Sequence, residues 1–175
     1  MNINGIYLDV ESNGLYGEPW AICAKSIIID AKNEVKVLSE FAFRQANFPI
    51  TDSWTKENCW SYNSDIPMTA NLQKEFAEWW SCRREGAQSR VWAHMCAPVE
   101  AGLFISLVQK GYIGPFEGPF PLIDISGVLV ARGEDPTSVD TALRRRGIHI
   151  DGHPHDCRYD VNATIKLMEA ISKEV

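Results

Sequence analysis

Apolar and polar residues alternate at the start of the chain. Residues 3–10 read as a strand, whose side chains turn to opposite faces at every second position. Ile6, Leu8 and Val10 share one face, while Tyr7, Asp9 and Glu11 share the other. Residues 12–17 form a turn rich in Gly and Asn. Two β-rich segments follow, 20–29 and 35–43, and Asp30-Ala31-Lys32-Asn33 between them predicts a hairpin. Val35, Val37, Phe41 and Phe43 fall on one face of the second segment, with Ser39 between them. The sheet is therefore expected to open as an antiparallel meander of three strands.

The period then changes. Residues 44–65 have no clear repeat but hold Phe48, Trp54, Trp60 and Tyr62, so this loop either packs on the body or lines a cleft. Residues 67–84 predict a helix with Leu72, Phe76 and Trp79/Trp80 at helical spacing, Thr69 as N-cap and Gly86 ending the region. Val91-Trp92-Ala93 is a short strand. Residues 99–110 are helical behind Pro98, with Leu103, Phe104, Leu107 and Val108 inward, and stop at Gly111. Leu122-Ile123-Asp124 enters a helix at 125–131, which Asp124 suits as a cap. Ser138 or Thr137 caps a short helix at 139–146. The last helix, 155–173, buries Cys157, Val161, Thr164, Met168 and Ile171. A meander followed by alternating strands and helices predicts a single α/β domain, residues 1–175, with a mixed five-stranded sheet flanked by helices.

Composition narrows the chemistry. The chain of 175 residues is 45% hydrophobic and 23% charged, ordinary for one globular domain. No apolar run approaches the ~20 residues of a membrane helix, and the first residues lack a basic leader, so no signal peptide and no membrane partner is expected. Five scattered cysteines without C-x-x-C spacing favour free thiols in a reducing, cytoplasmic setting. A net charge of −6 argues against non-specific binding of long duplexes.

Asp9 and Glu11 are the first chemical signal. Two carboxylates on one strand face, roughly 6–7 Å apart, repel unless a cation is shared, and hard dications such as Mg²⁺ suit such oxygens. The alternative is an edge strand with two solvated acids. The second signal is His155-Asp156-Cys157-Arg158-Tyr159-Asp160 at the last helix. There His155 sits at the predicted helix start and Asp160 one turn further in, beside the buried stripe, where an inward carboxylate needs a partner.

Asp9-Val10-Glu11, Gly14-Leu15 and His155–Asp160 together resemble the first and third exonuclease motifs of the DnaQ-like, DEDDh 3′→5′ exonucleases. The element order is similar to that family's ribonuclease H-like fold, and the resemblance runs from Asp9 to the last helix. Cys157 and Val161 replace small residues of the third motif. The second motif departs further: in the region around His94, Met95 stands near the usual Asn and Glu100 near the usual Asp. Glu100 substitutes for that acid, or Asp124 takes over, or the site is weakened.

The resemblance implies a two-metal mechanism with two Mg²⁺ or Mn²⁺ ions held by Asp9, Glu11, Glu100 and Asp160, Asp9 bridging. It implies His155 as the general base and a nucleoside 5′-monophosphate released from a 3′ end of single-stranded RNA, favoured, or DNA. Ser12, Asn13, Gly14 and Leu15 would meet the terminal nucleotide, with His94 and Arg158 as further substrate contacts. Arg144, Arg145, Arg146 and Arg132 either meet phosphates or form a solvated face. A homodimer is expected from the habits of small family members. The competing readings are a catalytically impaired nucleic-acid-binding module and a ribonuclease H-like endonuclease.

Overall fold

The computed structural model describes residues 1–32, 34–84 and 90–174. The expected helix stop at Gly86 lies outside the described residues. The chain order is β1 (Gly5–Ser12), β2 (Pro19–Ile29), β3 (Val35–Gln45), α1 (Ser53–Asn58), a 3₁₀ turn (Trp60–Asn63), β4 (Met68–Thr69), α2 (Leu72–Arg83), β5 (Val91–Ala93), α3 (Val99–Gln109), β6 (Leu122–Asp124), α4 (Ile125–Ala131), α5 (Val139–Arg145) and α6 (Cys157–Lys173). One mixed sheet runs β4-β3-β2-β1-β5-β6. The meander β1-β2-β3 is antiparallel, and β4, β5 and β6 join in parallel.

The alternation in β1 sorts two cores. Ile6, Leu8 and Val10 pack with Leu72, Phe76 and Trp80 of α2 and Leu103, Phe104 and Leu107 of α3. On the opposite face Tyr7 joins Trp92, Ile125, Leu129 and the buried stripe of α6. Burying one such large side chain contributes about 1.5–3 kcal/mol, so both layers are firmly seated. Asp9 and Glu11 follow Tyr7 onto the α6 face by period alone.

Four expectations need correction. The sheet has six strands, because Pro67–Thr69 is drawn against β3: Arg44 N–H donates to Pro67 O at 2.9 Å and Ala46 N–H to Thr69 O at 2.7 Å. Thr69 is therefore a strand residue, and α2 begins at Leu72 behind Asn71. β3 does not keep one apolar face. Its register against β2 shifts between Ser26 and Ile27, leaving Leu38 as an extra residue. Such a bulge reverses the faces beyond it, so Phe41 and Phe43 meet the α2 layer while Val35 packs against the α6 layer. Residues 44–65 are not simply a loop; Asp52 caps α1 by accepting from Thr55 N–H at 2.8 Å.

Candidate active site

Three elements deliver four acids to one place. Asp9 and Glu11 lie at the C-terminal end of β1, where β5 has already stopped pairing. Val10 N–H consequently lacks a strand acceptor, and Glu100 from the first turn of α3 supplies one through Oε1 at 3.3 Å. Asp160 comes from the first turn of α6. Carboxylate oxygens of Asp9, Glu11 and Asp160 lie within 4.8 Å of one another. Glu100 is 4% exposed and sits close enough to raise the proton affinity of both Asp9 and Glu11.

The electrostatics are those of charge without a counterion. Burial, then the charges of Asp160, Glu11 and Glu100, push Asp9 well above the ordinary carboxyl range. Burial, then Asp160, pushes Glu11 up to about 8. Glu100 rises to about 8 through burial, with Asp124 and Asp160 adding to it against two backbone N–H donors. Asp160 rises to about 7, again mainly through burial. Asp9 retains some exposed surface, yet its Oδ2 is sealed from solvent and has no hydrogen-bond partner among the described residues. A buried lone carboxylate oxygen is costly unless something absent from the polypeptide satisfies it.

His155 is not the first residue of α6. It precedes the N-cap Asp156, with φ at 69°. That left-handed conformation is unfavourable for a residue with a Cβ and costs about 1 kcal/mol, so its surroundings must hold it. They do: His155 N–H donates to Asp160 Oδ2 at 2.8 Å, and His155 O accepts from Asn63 Nδ2 at 2.6 Å. Trp54 meets the imidazole edge-on, with centroids 5.1 Å apart. Burial, then the neighbouring His153, lowers the His155 pKa. Both causes favour the neutral ring, the form that can accept a proton.

Two clefts flank the acids. One, of about 460 Å³, is lined by Glu11, Leu15, Trp54, Cys59, Val99 and His155, among others. The other, of about 340 Å³, is lined by Asp9, His94, Met95, Asp140, His155 and Asp160, among others. Leu15 is 66% exposed at the first cleft and is not buried on the sheet. The side chain of Asn13 is engaged with Thr51 and Asp52, and Ser12 Oγ donates to Gly14 O. Their backbone turn is also closed internally: Asn13 N–H reaches Glu18 O and Gly14 N–H reaches Ser12 O and Thr55 Oγ1. A ring nitrogen of His94 is 2.7 Å from Pro136 O.

Asp124 accepts from Met95 N–H, Ser126 N–H and Ser126 Oγ, so it caps α4 instead of joining the acids. Arg158 is drawn away from both clefts by Asp65 at 2.7 Å and Asp156 at 3.2 Å. Arg132 and Arg146 are tied to Glu134 and Glu174. Trp54, Cys59 and Asn63 were not singled out as functional positions by the sequence; the aromatic density of 44–65 was the available signal, and Trp54 at 55% exposed is its cleft-facing member.

No family model and no curated protein matches the chain. Solved structures do. The nuclease domain of 3′hExo, described as a DEDDh family member and bound to rAMP, matches at TM-score 0.67 and 12% identity over 98% of this chain and 94% of that one. A 3′-exonuclease recognising a histone mRNA stem-loop matches at TM-score 0.68 and 10% identity, over 97% and 81%. The protein has the fold of a DEDDh exonuclease domain. A zinc-bound complex of E. coli ExoI with single-stranded DNA matches at TM-score 0.66 and 11% identity, covering 96% of this chain. This chain spans only 40% of that exonuclease. Against the DEDDh pattern, Glu100 and Met95 remain the two departures of the second motif.

Proposed function

We propose that the protein is a divalent-metal-dependent 3′→5′ exonuclease acting on single-stranded ends, RNA in preference to DNA. The observation that carries this reading is the partnerless Asp9 Oδ2 beside Glu11 and Asp160. An all-oxygen donor set with excess negative charge fits Mg²⁺ or Mn²⁺. Asp9, Glu11, Glu100 and Asp160 are the residues that would hold a pair of such ions. When bound, the pair would supply Lewis acidity to the attacking and leaving oxygens of an in-line displacement at phosphorus.

The protein's own groups do the rest. A ring nitrogen of His155, within 4.8 Å of a Glu11 oxygen, takes the proton of the attacking water. Leu15, Trp54 and Val99 offer apolar walls that accept any base at the 3′ end. Ser12, Asn13 and Gly14 shape the turn that presents Leu15. His94 borders the second cleft, where the penultimate phosphate would pass. Arg158 serves the same site indirectly, by fixing the start of α6. The RNA preference is supported by two structures matched over most of their length, one bound to rAMP and one recognising a histone mRNA stem-loop. A homodimer and a cytoplasmic location belong to the same proposal, on the family resemblance and the unpaired thiols.

The second reading, a binding module without cleavage, draws on Glu100, whose Oε1 already accepts Val10 N–H. One assay separates the readings. Single-stranded RNA and DNA, each 5′-labelled, are incubated with Mg²⁺, with Mn²⁺ or with EDTA. A metal-dependent ladder shortening from the 3′ end is expected, faster on RNA. Retained binding without cleavage would favour the module, and cleavage in mid-chain an endonuclease.

A further inference from the structure

Glu11 belongs to a second group of possible ligands, with Cys59 and His155. A carboxylate oxygen of Glu11, Cys59 Sγ and a ring nitrogen of His155 all lie within 4.8 Å of one another. This trio has a different character from Asp9, Glu11 and Asp160: one sulfur, one imidazole and one carboxylate, instead of oxygen alone. Thiolate and imidazole select borderline and soft ions such as Zn²⁺ and Co²⁺, and Mg²⁺ avoids sulfur. Three protein ligands with a fourth position open to a cleft is a common zinc arrangement.

The trio is also held in place. Asn63 is fully buried, and its Nδ2 donates both to Cys59 O at 2.9 Å and to His155 O at 2.6 Å. Its Oδ1 accepts from Cys157 N–H at 3.0 Å. One amide thus clamps the backbones carrying two of the ligands, although they stand far apart in sequence. Cys59 N–H is fixed in turn by Thr55 O at 2.9 Å. All three ligands line the 460 Å³ cleft, so an ion has a path in from solvent.

We propose that Glu11, Cys59 and His155 form a separate site for a thiophilic dication of the Zn²⁺ class, and that its occupation silences the enzyme. Coordination displaces the Cys59 thiol proton to the buffer and occupies the His155 lone pair. His155 can then no longer take a proton, and Glu11, a member of both groups, is engaged by the second ion. The silencing rests on the exonuclease reading; the cation site does not.

Co²⁺ is the probe, because a thiolate ligand gives it a charge-transfer band in the near ultraviolet. The intact protein should develop that band to saturation at one Co²⁺ per chain, and Zn²⁺ should abolish it. Cys59→Ser should lose the band, His155→Ala should weaken Co²⁺ binding roughly tenfold or more, and Cys82→Ser, altering an exposed thiol, should keep the band. Measured against its own Mg²⁺-supported rate, Cys59→Ser should need roughly tenfold or more Zn²⁺ for inhibition. No band in the intact protein, or a band that survives in Cys59→Ser, overturns the site. An unchanged Zn²⁺ sensitivity in Cys59→Ser overturns the silencing. A band at Cys59 in a protein that hydrolyses nothing would keep the cation site and remove the exonuclease reading.

Discussion

Two clusters of charge in this molecule behave in opposite ways. At the ends of α4, α5 and α6, Arg146 grips Glu134 with both guanidinium nitrogens, at 2.7 and 2.6 Å, and reaches Glu174 at 2.8 Å. Arg132 joins both acids. The Arg146 guanidinium, chiefly, holds Glu134 down to about 2. At the end of β1, burial and the neighbouring acids raise Glu11 to about 8 and Asp9 above an ordinary carboxyl. The first cluster is complete within the chain and fastens helices together. The second is complete only with something added. Buried charge that the fold leaves unneutralised is the physical mark of a site.

The contrast can be broken in four ways. The largest effect should come from Asp9→Ala. Hydrolysis should fall about a thousandfold, some 4 kcal/mol of barrier, while the metal-free melting temperature at pH 8 should not fall, because an unpaired buried charge has gone. Single-turnover assays and calorimetry check both halves; a stability loss without an activity loss would make Asp9 structural. Next is His155→Ala, expected to lower the rate about a hundredfold or more and to remove the acidic limb of the pH–rate profile. If that limb stays, another group is the base.

Arg146→Ala should do the reverse of Asp9→Ala. Stability should drop by about 1–2 kcal/mol, as for a partly exposed network, with the turnover of the folded protein unchanged. Denaturant titration beside a rate measurement decides it. The smallest effect is the pH response of the metal-free protein. Glu11, Glu100 and Asp160 bind protons more tightly folded, at about 8, 8 and 7, than unfolded, where carboxyls titrate near ~4. Their contribution is therefore complete below pH ~4 and lost as pH rises through 7 and 8. Glu134, held at about 2, acts oppositely: its contribution is present above pH ~4 and lost as pH falls toward 2. Melting temperature should decline by a few degrees from pH 5 to pH 8.5, and millimolar Mg²⁺ should reverse that decline. A flat curve would mean the acids are solvated after all.

What could be read in the sequence followed from local periods. Alternation in β1 put Asp9 and Glu11 on one face, and the 3.6-residue stripe of α6 set Asp160 beside it. Ser138 and Asp124 cap the helices expected of them. The misses are of another kind. The Leu38 bulge reverses a face without any Gly or Pro to announce it. β4 exists only because β3 offers it an edge. Asn63 reaches the site by its hydrogen bond to His155 O and Cys59 by the nearness of its Sγ to the His155 ring, more than ninety positions away. His155 sits outside α6 because its positive φ, adopted behind Pro154, delays the helix to Cys157.

The central claim is that the carboxyls gathered around Asp9 exist to hold divalent cations. A crystal grown with Mn²⁺ tests it most directly through the anomalous signal of the ion. The account predicts a strong peak in contact with Asp9 Oδ2 and with carboxyl oxygens of Glu11 and Asp160. A map with no peak there at saturating Mn²⁺, or with those three carboxyls turned apart, would contradict it.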